Sequence, residues 1–250
     1  TLSSSSAASD VYKRQTLSNA YTDYERKTRS TTVDKNTGER RLALGAGLQD
    51  ITKFSGITLR GTFQYKINDR LTIQPGYDLN LESGQGGRIK TGTQQIGDYA
   101  FFGSAEWQVT KALQIRPGLR VINNSVYSAP PVVPSINSKL TLSKKHDLRF
   151  AYGRGFRAPS IRELYFDFFD SNHSVEGNTS LEAELSHSFS GTWNWDALES
   201  DKMKWSMIVG GFYNSVDNMI NFGQKPGNSL VTTYLNIDRF KTKGLTLNNK

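Results

Sequence analysis

Residues 55–81, SGITLRGTFQYKINDRLTIQPGYDLNL, alternate between apolar and polar side chains on either side of a short polar turn, Asn68-Asp69-Arg70. Successive side chains of a β-strand point to opposite faces of a sheet, so a period of two predicts two strands, each with one apolar and one polar face. The apolar face of the first strand carries Ile57, Leu59, Phe63, Tyr65 and Ile67. The tight turn predicts that the two strands are antiparallel neighbours.

The same alternation recurs along the chain, for example in residues 99–110 and 113–121. Short polar turns at residues 111–112 and 144–147 alternate with longer connections. The longer connections are residues 82–98, 123–135 and 159–183. In an up-and-down sheet, this order places the short turns on one rim and the long loops on the other. Strands of about ten residues in that arrangement predict an all-β, antiparallel, up-and-down transmembrane β-barrel.

A soluble β-sandwich is the alternative fold, although sandwich strands usually have only about five or six residues. Two prolines, Pro75 and Pro117, fall inside predicted strands. Proline has no N–H to donate to a neighbouring strand, so each proline predicts a local bulge or a strand edge. Aromatic side chains near the strand ends, among them Trp193, Trp195 and Trp205, would suit the interfacial girdles of a membrane barrel.

The composition excludes several kinds of site. The 250 residues contain no Cys, which removes disulfides, thiolate metal sites and Cys nucleophiles, and the three His are too widely spaced for a His-cluster metal motif. The sequence contains no run of about 18 apolar residues that would predict a transmembrane helix. The formal charge of +8 is compatible with nucleic acid, but no nucleic-acid-binding motif accompanies it. Nothing resembles a nucleophile elbow or a paired-carboxylate site, so we expect neither enzyme activity nor a nucleic-acid partner.

The two ends of the sequence need separate treatment. Residues 1–15 lack the apolar core of a signal peptide and resemble translated sequencing-adapter sequence, so a non-native tail is predicted there. Residues 244–247 alternate like another strand shortly before Lys250. The expected organisation is therefore a tail at residues 1–15 and a partial barrel domain at residues 16–250, cut at both ends.

Two regions carry a specific resemblance to a known family. Residues 153–160 read GRGFRAPS, and residues 162–165 read RELY. The second region reads GFYN at 211–214, NMI at 218–220, YLN at 234–236 and KGL at 243–245. These motifs resemble the barrel half of TonB-dependent outer-membrane receptors, in which an FRAP-type box leads into a large extracellular loop that returns through a GN-x-x-L-x-x-E segment. The matching motif residues are Phe156, Arg157, Ala158, Pro159, Gly177, Asn178, Leu181 and Glu184.

The resemblance implies a barrel of about 22 antiparallel strands around a plug, of which this chain offers about half, with no recognisable plug. It also implies a location in the bacterial outer membrane, in contact with lipid and lipopolysaccharide. The expected protein partner is the TonB energy-transducing complex, which would contact the plug segment that this chain lacks. Such receptors import scarce chelates, so the expected function is TonB-dependent uptake of a ferric siderophore or haem. These molecules are expected as cargo, with no resident cofactor. The alternatives are a cobalamin receptor of the same family, or a passive porin or outer-membrane adhesin.

The resemblance also indicates candidate ligand-binding residues in the large loop. In haem-uptake receptors of the family, a histidine in the interval that contains His173 is associated with haem, and neutral imidazole can ligate haem iron. Thr179 and Ser180 stand where those receptors typically carry Pro and Asp. The candidates for packing on a flat macrocycle are Tyr165, Phe166, Phe168 and Phe169. No metal site is assigned apart from this candidate haem ligand.

Arginines form the second group of candidates. Arg157 and Arg162 present planar forks of donors that suit carboxylates or catecholates, while the alternation of Arg157 also suits a structural role in holding the loop or the plug. The charges on the polar face are mainly basic, and a basic lumen would attract anionic chelates. Asp167, Asp170 and Asn172 match no calcium-binding loop and are interpreted as a polar rim.

Overall fold

The computed structural model describes residues 13–45, 48–127, 130, 132–169, 173–200 and 203–249. Nearly all of these residues are in strands. In chain order the strands are β1 (Lys13–Arg29), β2 (Thr31–Val33), β3 (Arg40–Leu42), β4 (Gln49–Asn68), β5 (Leu71–Gly86), β6 (Gln94–Gln108), β7 (Leu113–Asn124), β8 (Val133–Ser143), β9 (His146–Arg157), β10 (Phe168–Phe169), β11 (Ser174–Glu176), β12 (Glu184–Ser200), β13 (Met203–Lys225) and β14 (Asn228–Asn249). One helix, α1 (Ile161–Tyr165), lies between β9 and β10.

Most neighbours in the large sheet are also neighbours in the chain, and they run antiparallel. The strand order is β1-β4-β5-β6-β7-β8-β9-β12-β13-β14-β11-β10, and β2 and β3 form a separate hairpin. The long connection between β9 and β12 contributes β11, which joins β14 in parallel. This connection therefore folds back over the sheet. The predicted all-β, antiparallel, up-and-down architecture is confirmed, as part of a β-barrel.

The two rims of the sheet differ as the sequence predicts. Short turns at residues 69–70, 109–112 and 144–145 join strands at the short-turn rim. Longer connections at residues 30–48, 87–93, 125–132 and 158–183 lie at the opposite long-loop rim. The β13–β14 turn at residues 226–227 is also at the long-loop rim. It is short because β13 and β14 themselves run to 23 and 22 residues.

The predicted tail at residues 1–15 lies mostly outside the described residues. Residues 13–15 begin β1 and pair with residues 63–65 of β4. The alternation of apolar and polar residues does not indicate β1, because both faces of this strand are mainly polar. The assignment of residues 1–15 as a non-native tail stays a prediction.

Pro75 and Pro117 occupy equivalent irregularities in two strands. β5 loses its pairing with β4 within residues 73–76, an interval that contains Pro75. β7 loses its pairing with β6 within residues 115–118, which contain Pro117. Both prolines keep their pairing with the strand on the other side. The register is the same on either side of each gap and both strands lie inside the sheet, so neither the predicted bulge nor a strand edge is observed. The gap in pairing itself accommodates the missing N–H of each proline.

The apolar face of the sheet is exposed, while the polar face lines the concave side. One row of the apolar face crosses four strands, because Phe150 pairs with Gly191, Gly191 with Gly211, and Gly211 with Leu245. Phe150 and Leu245 are exposed. A contiguous exposed apolar face marks a surface that contacts a membrane or a partner.

An aromatic cluster lies on the apolar face at the short-turn rim. The ring of His146 stacks against Trp193 and Trp195, with centroids 5.8 Å apart in each case. Trp205 follows at 5.9 Å from Trp195. The predicted gathering of tryptophans near strand ends is confirmed for these three residues.

Candidate functional site

The β9–β12 connection, residues 158–183, crosses the concave side of the sheet at the long-loop rim. Near its start, the backbone carbonyl of Tyr165 accepts a hydrogen bond from the Lys90 N–H in the β5–β6 connection, at 2.8 Å. Near its end, the hydroxyl of Thr233 on β14 donates to the Glu176 carbonyl at 2.8 Å. The connection therefore bridges two parts of the sheet that are distant in strand order.

Helix α1 opens this connection and is specified by its local sequence. The Ser160 hydroxyl accepts a hydrogen bond from the Glu163 N–H at 3.3 Å, and the Glu163 carboxylate accepts one from the Ser160 N–H at 2.8 Å. This reciprocal capping box satisfies two N–H groups at the start of the helix. Pro159, which is buried immediately before it, fixes the backbone as the chain leaves β9.

Eight buried side chains form an apolar core under the connection, which we call the loop core. They are Ile89, Ile96, Ile161, Leu164, Phe166, Leu181, Ile220 and Tyr234. Leu164 is completely buried. A Cβ atom on Gly177 would lie 2.7 Å from the carbonyl oxygen of Leu164, so the backbone approaches too closely for any other residue. The motif residues Gly177 and Leu181 therefore pack the loop against the sheet.

An ion-pair cluster, which we call the loop base, ties both ends of the connection together. The Arg157 guanidinium donates to Glu184 at 2.8 Å and to Glu163 at 3.0 Å. Glu184 also accepts a hydrogen bond from the Ile220 N–H on β13 at 2.8 Å. Because two carboxylates already satisfy Arg157, this geometry agrees with the structural interpretation of that residue. A role of Arg157 in ligand binding stays a prediction.

A second ion-pair cluster lies where the connection meets β13 and the β5–β6 connection. Glu176 accepts hydrogen bonds from Lys90 at 2.9 Å and from Lys225 at 2.5 Å. The hydrogen bond from Lys225, and next the one from Lys90, lower the pKa of Glu176. Burial raises the pKa of the neighbouring Asp167, and Lys90 opposes that rise.

Three arginines surround the aromatic pair Phe166 and Phe168. The guanidinium carbon of Arg26 lies 4.8 Å from the ring centroid of Phe168 and 5.8 Å from that of Phe166. Arg88 lies 4.1 Å from the Phe168 centroid, and Arg162 lies 5.5 Å from the Phe166 centroid. A cation over an aromatic face is attracted by the ring quadrupole, by about 0.5–1 kcal/mol when exposed. Arg26 comes from β1, so this arrangement joins residues far apart in the sequence.

The structure brings together some predicted site residues and separates others. His173 is exposed, and its ring centroid lies 4.8 Å from that of Phe168. Arg162 faces Phe166, whereas Phe169 is exposed on β10 and shares no aromatic contact with His173 among the described residues. Tyr165 packs against the loop core. Of the predicted polar rim, Asp170 and Asn172 lie outside the described residues.

Sequence reasoning missed Arg26 and Arg88 as neighbours of the candidate residues. Arg26 belongs to a strand without apolar alternation, and Arg88 belongs to a Gly-rich connection. Neither position has a local signal that places it beside Phe168. Only the pairing of β1 with β4 and the folding-back of the β9–β12 connection produce the contact.

The polar face below the loop forms a cleft of about 590 Å³. Asp78 on β5 accepts hydrogen bonds from Arg60 at 2.7 Å and Arg120 at 3.1 Å. Nearer the short-turn rim, a second concavity of about 480 Å³ is lined by four charged residues. They are Glu106, Arg116, Lys139 and Arg149. The predicted excess of cations on the concave face is present in this second concavity.

These features define part of an antiparallel β-barrel whose largest connection is packed into its concave side. Across the described residues, no helix combines the length and hydropathy needed to cross a membrane. In the same residues, no three His, Asp or Glu side chains gather in a way that would hold a metal ion. The family model for TonB-dependent receptor-like β-barrels matches residues 1–250, and the chain belongs to this family.

Solved structures of receptors share this fold at low sequence identity. The siderophore receptor PirA from Pseudomonas aeruginosa is 16% identical with a TM-score of 0.67, over 92% of this chain and 44% of that chain. A mutant of the ferric enterobactin receptor PfeA from Pseudomonas aeruginosa, in complex with enterobactin, is 15% identical with a TM-score of 0.69, over 94% and 38%. A mutant of the hemophore receptor HasR from Serratia marcescens, in complex with its hemophore HasA and heme, is 12% identical with a TM-score of 0.59, over 96% and 47%.

The chain spans less than half the length of each of these solved structures. No curated protein matches it by sequence. At such identities the structural likeness shows the fold alone, and the family match adds membership in the TonB-dependent receptor-like β-barrel family.

Proposed function

We propose that this chain is part of an outer-membrane receptor that imports an iron chelate in a TonB-dependent manner, with a ferric siderophore as the first candidate cargo. The observation that supports this most is the match to the family over residues 1–250. Two of the similar solved structures are described as a siderophore receptor and a ferric enterobactin receptor. The long loops, which gather at one rim, carry arginines and aromatic rings to the concave side, as the binding of an anionic chelate requires.

The proposed transport sets the roles of the remaining surfaces. Outer-membrane lipid and lipopolysaccharide would cover the exposed apolar face, since strands with one apolar and one polar face suit a lipid exterior and a polar lumen. The TonB complex would act through a plug that fills the concave side. Import breaks no bond in the cargo, so we expect binding groups, no enzyme activity and no resident cofactor.

Haem is the second candidate cargo, and His173 is the observation that favours it. His173 is exposed beside Phe168, and an imidazole on an aromatic surface could ligate haem iron while the ring supports the macrocycle. If so, His173→Ala in the complete gene product should weaken haem binding and alter the Soret absorption of bound haem. An unchanged spectrum and affinity would remove His173 as a ligand.

The proposed function is tested by uptake in a host that lacks its own iron receptors. The complete gene product that carries this chain is expressed with and without TonB, and cells are supplied with radioactive iron as ferric siderophores or haem, or with labelled cobalamin. We expect iron uptake that requires TonB. Uptake of cobalamin alone would favour the cobalamin receptor, and solute entry independent of TonB would favour a passive porin. Lack of any uptake, with cell adhesion instead, would favour an adhesin.

A further inference from the structure

A small pocket opens between β1 and α1 on the concave side, at the long-loop rim. Its volume is about 220 Å³. The residues that matter for its chemistry are Tyr24, Arg26, Phe54, Glu82, Arg162 and Phe166. Tyr24 stacks on Phe54 with centroids 6.4 Å apart, so the pocket has aromatic walls on the strand side as well as on the loop side.

Several other arginines of the concave face are paired with carboxylates. Arg60 and Arg120 share Asp78, and Arg157 has two carboxylate partners. Within the described part of the chain, neither Arg26 nor Arg162 forms a salt bridge. Both guanidinium groups nevertheless approach the same ring, that of Phe166, at 5.8 and 5.5 Å. Two cations held near one ring repel each other, and an anion between them would relieve that repulsion.

We propose that Arg26 and Arg162 form an anion-binding subsite that holds one catecholate arm of the imported iron chelate, with its ring against Phe166 and Tyr24. This inference rests on the proposed function and names the class of chelate. A guanidinium fork matches two adjacent oxygen atoms in one plane, which a catecholate presents. The pocket has room for one ring-sized arm, and the remainder of the chelate would extend from it towards the long-loop rim.

Glu82 gives the subsite a direction. Glu82 is one of the residues that line the pocket, and its carboxylate accepts a hydrogen bond from Asn80 at 3.1 Å. A negatively charged ligand is repelled from Glu82, so its oxygens turn towards the arginines. Removing this charge should therefore strengthen anion binding, whereas removing either arginine should weaken it. Opposite effects from neighbouring residues distinguish a binding site from general damage to the fold.

The test is equilibrium binding to the complete gene product in outer-membrane vesicles. The probes are ferric complexes of 2,3-dihydroxybenzoylglycine, citrate and a trihydroxamate, together with haem. We expect R26Q and R162Q each to lower affinity for the ferric catecholate about 10-fold, since a hydrogen bond to a charged group contributes enough for one such factor. E82Q should raise it by about 2–5-fold, in keeping with a modest, partly solvent-screened repulsion. R70Q, at the short-turn rim, removes the same charge far from the pocket and should leave the affinity unchanged.

Several outcomes overturn the inference while leaving the proposed function intact. One is TonB-dependent uptake of the trihydroxamate or haem without binding of the catecholate. Another is catecholate binding that changes less than 2-fold in the R26Q/R162Q double variant, or that E82Q weakens. Preferential binding of ferric citrate through the same arginines would show that the chelate class is a carboxylate. If no chelate is bound or imported by the unaltered protein, the proposed function fails and the inference fails with it.

Discussion

Arg157 at the end of β9 and Arg162 in α1 stand only five residues apart, yet the structure gives them opposite electrostatic surroundings. Arg157 lies in the loop base and is held by Glu163 and Glu184. Arg162 lies on the exposed side of α1 against Phe166, and no carboxylate among the described residues pairs with it. A cation that is already neutralised fixes structure, whereas an unpaired cation in a concave aromatic pocket is available to a ligand.

The same contrast separates the loop core and loop base from the pocket above them. The core and base use residues of the FRAP and GN-x-x-L motifs, and all of these make contacts within the protein. The pocket uses Arg26 and Tyr24 from β1, which no motif marks. The motif residues of the loop core and loop base therefore anchor the connection, while the proposed subsite combines side chains from separate strands with those of the connection.

The largest expected effect comes from truncating a side chain of the loop core, which tests whether this core anchors the connection. Leu164 is fully buried, so Leu164→Ala leaves a cavity, and we expect a loss of about 2–5 kcal/mol in the free energy of unfolding. Urea unfolding in phospholipid vesicles, followed by tryptophan fluorescence, measures it. Leu247→Ala on the exposed apolar face is the matched control, and it should lower the free energy of unfolding much less. Equal losses at the two positions would contradict a packed loop core.

Gly177 tests the close approach of the returning segment. A methyl group at this position meets the Leu164 backbone at 2.7 Å, so Gly177→Ala must push the segment away. We expect a cost of about 1–3 kcal/mol, as for other overpacked sites. Gly153→Ala is the control, since a Cβ there meets no heavy atom within 4 Å. Hydrogen exchange of the α1 amides should rise in the Gly177 variant only; protection that stays unchanged would argue against the close contact.

The loop anchor and the pocket also differ in how far the sequence predicts them. Alternation indicates β4 to β9, because each strand has one face in an apolar and one in a polar environment. It does not indicate β1, because both faces of that strand are mainly polar. It also does not indicate that β13 and β14 extend to 23 and 22 residues and are joined by a two-residue turn. The resemblance marks Arg157 and Gly177 because their contacts are local to the motif. Arg26 could not be predicted, since its approach to Phe168 depends on how the sheet curves and how the loop folds back.

A double-mutant cycle on Arg157 and Glu184 sharpens the comparison of the two arginines. The Arg157 side chain is 45% exposed, so solvent screens the pair and we expect a coupling of about 1 kcal/mol rather than the larger value of a buried pair. Arg157→Gln, Glu184→Gln and the double variant supply the cycle, measured by urea unfolding. The exposed pair of Arg41 and Glu39 is the control and should show less coupling. A coupling near zero would mean that Arg157 is not held by Glu184.

The smallest expected effect is the pH dependence of the contact between β11 and its neighbours. Lys225 and Lys90 lower the pKa of Glu176 below its ordinary 4.5, so the ionised carboxylate stabilises the contact at neutral pH. That contribution is lost as the pH falls through the lowered pKa. Because Lys225 is 42% exposed, we expect only about 0.5 kcal/mol. Asp167, whose pKa is raised by burial, acts in the opposite direction and remains in a Glu176→Gln variant.

The difference between unaltered protein and Glu176→Gln therefore isolates Glu176. Amide protection of β11 should decline below pH 4.5 in the unaltered protein more than in the variant. The same acidification should leave the Arg26 and Arg162 pocket positively charged, because guanidinium groups stay protonated throughout. Acidification should therefore weaken the contact of Glu176 with Lys90 and Lys225, whereas Arg26 and Arg162 keep their charges. If β11 in the two proteins loses protection in parallel, Glu176 is not the group that links β11 to Lys90 and Lys225.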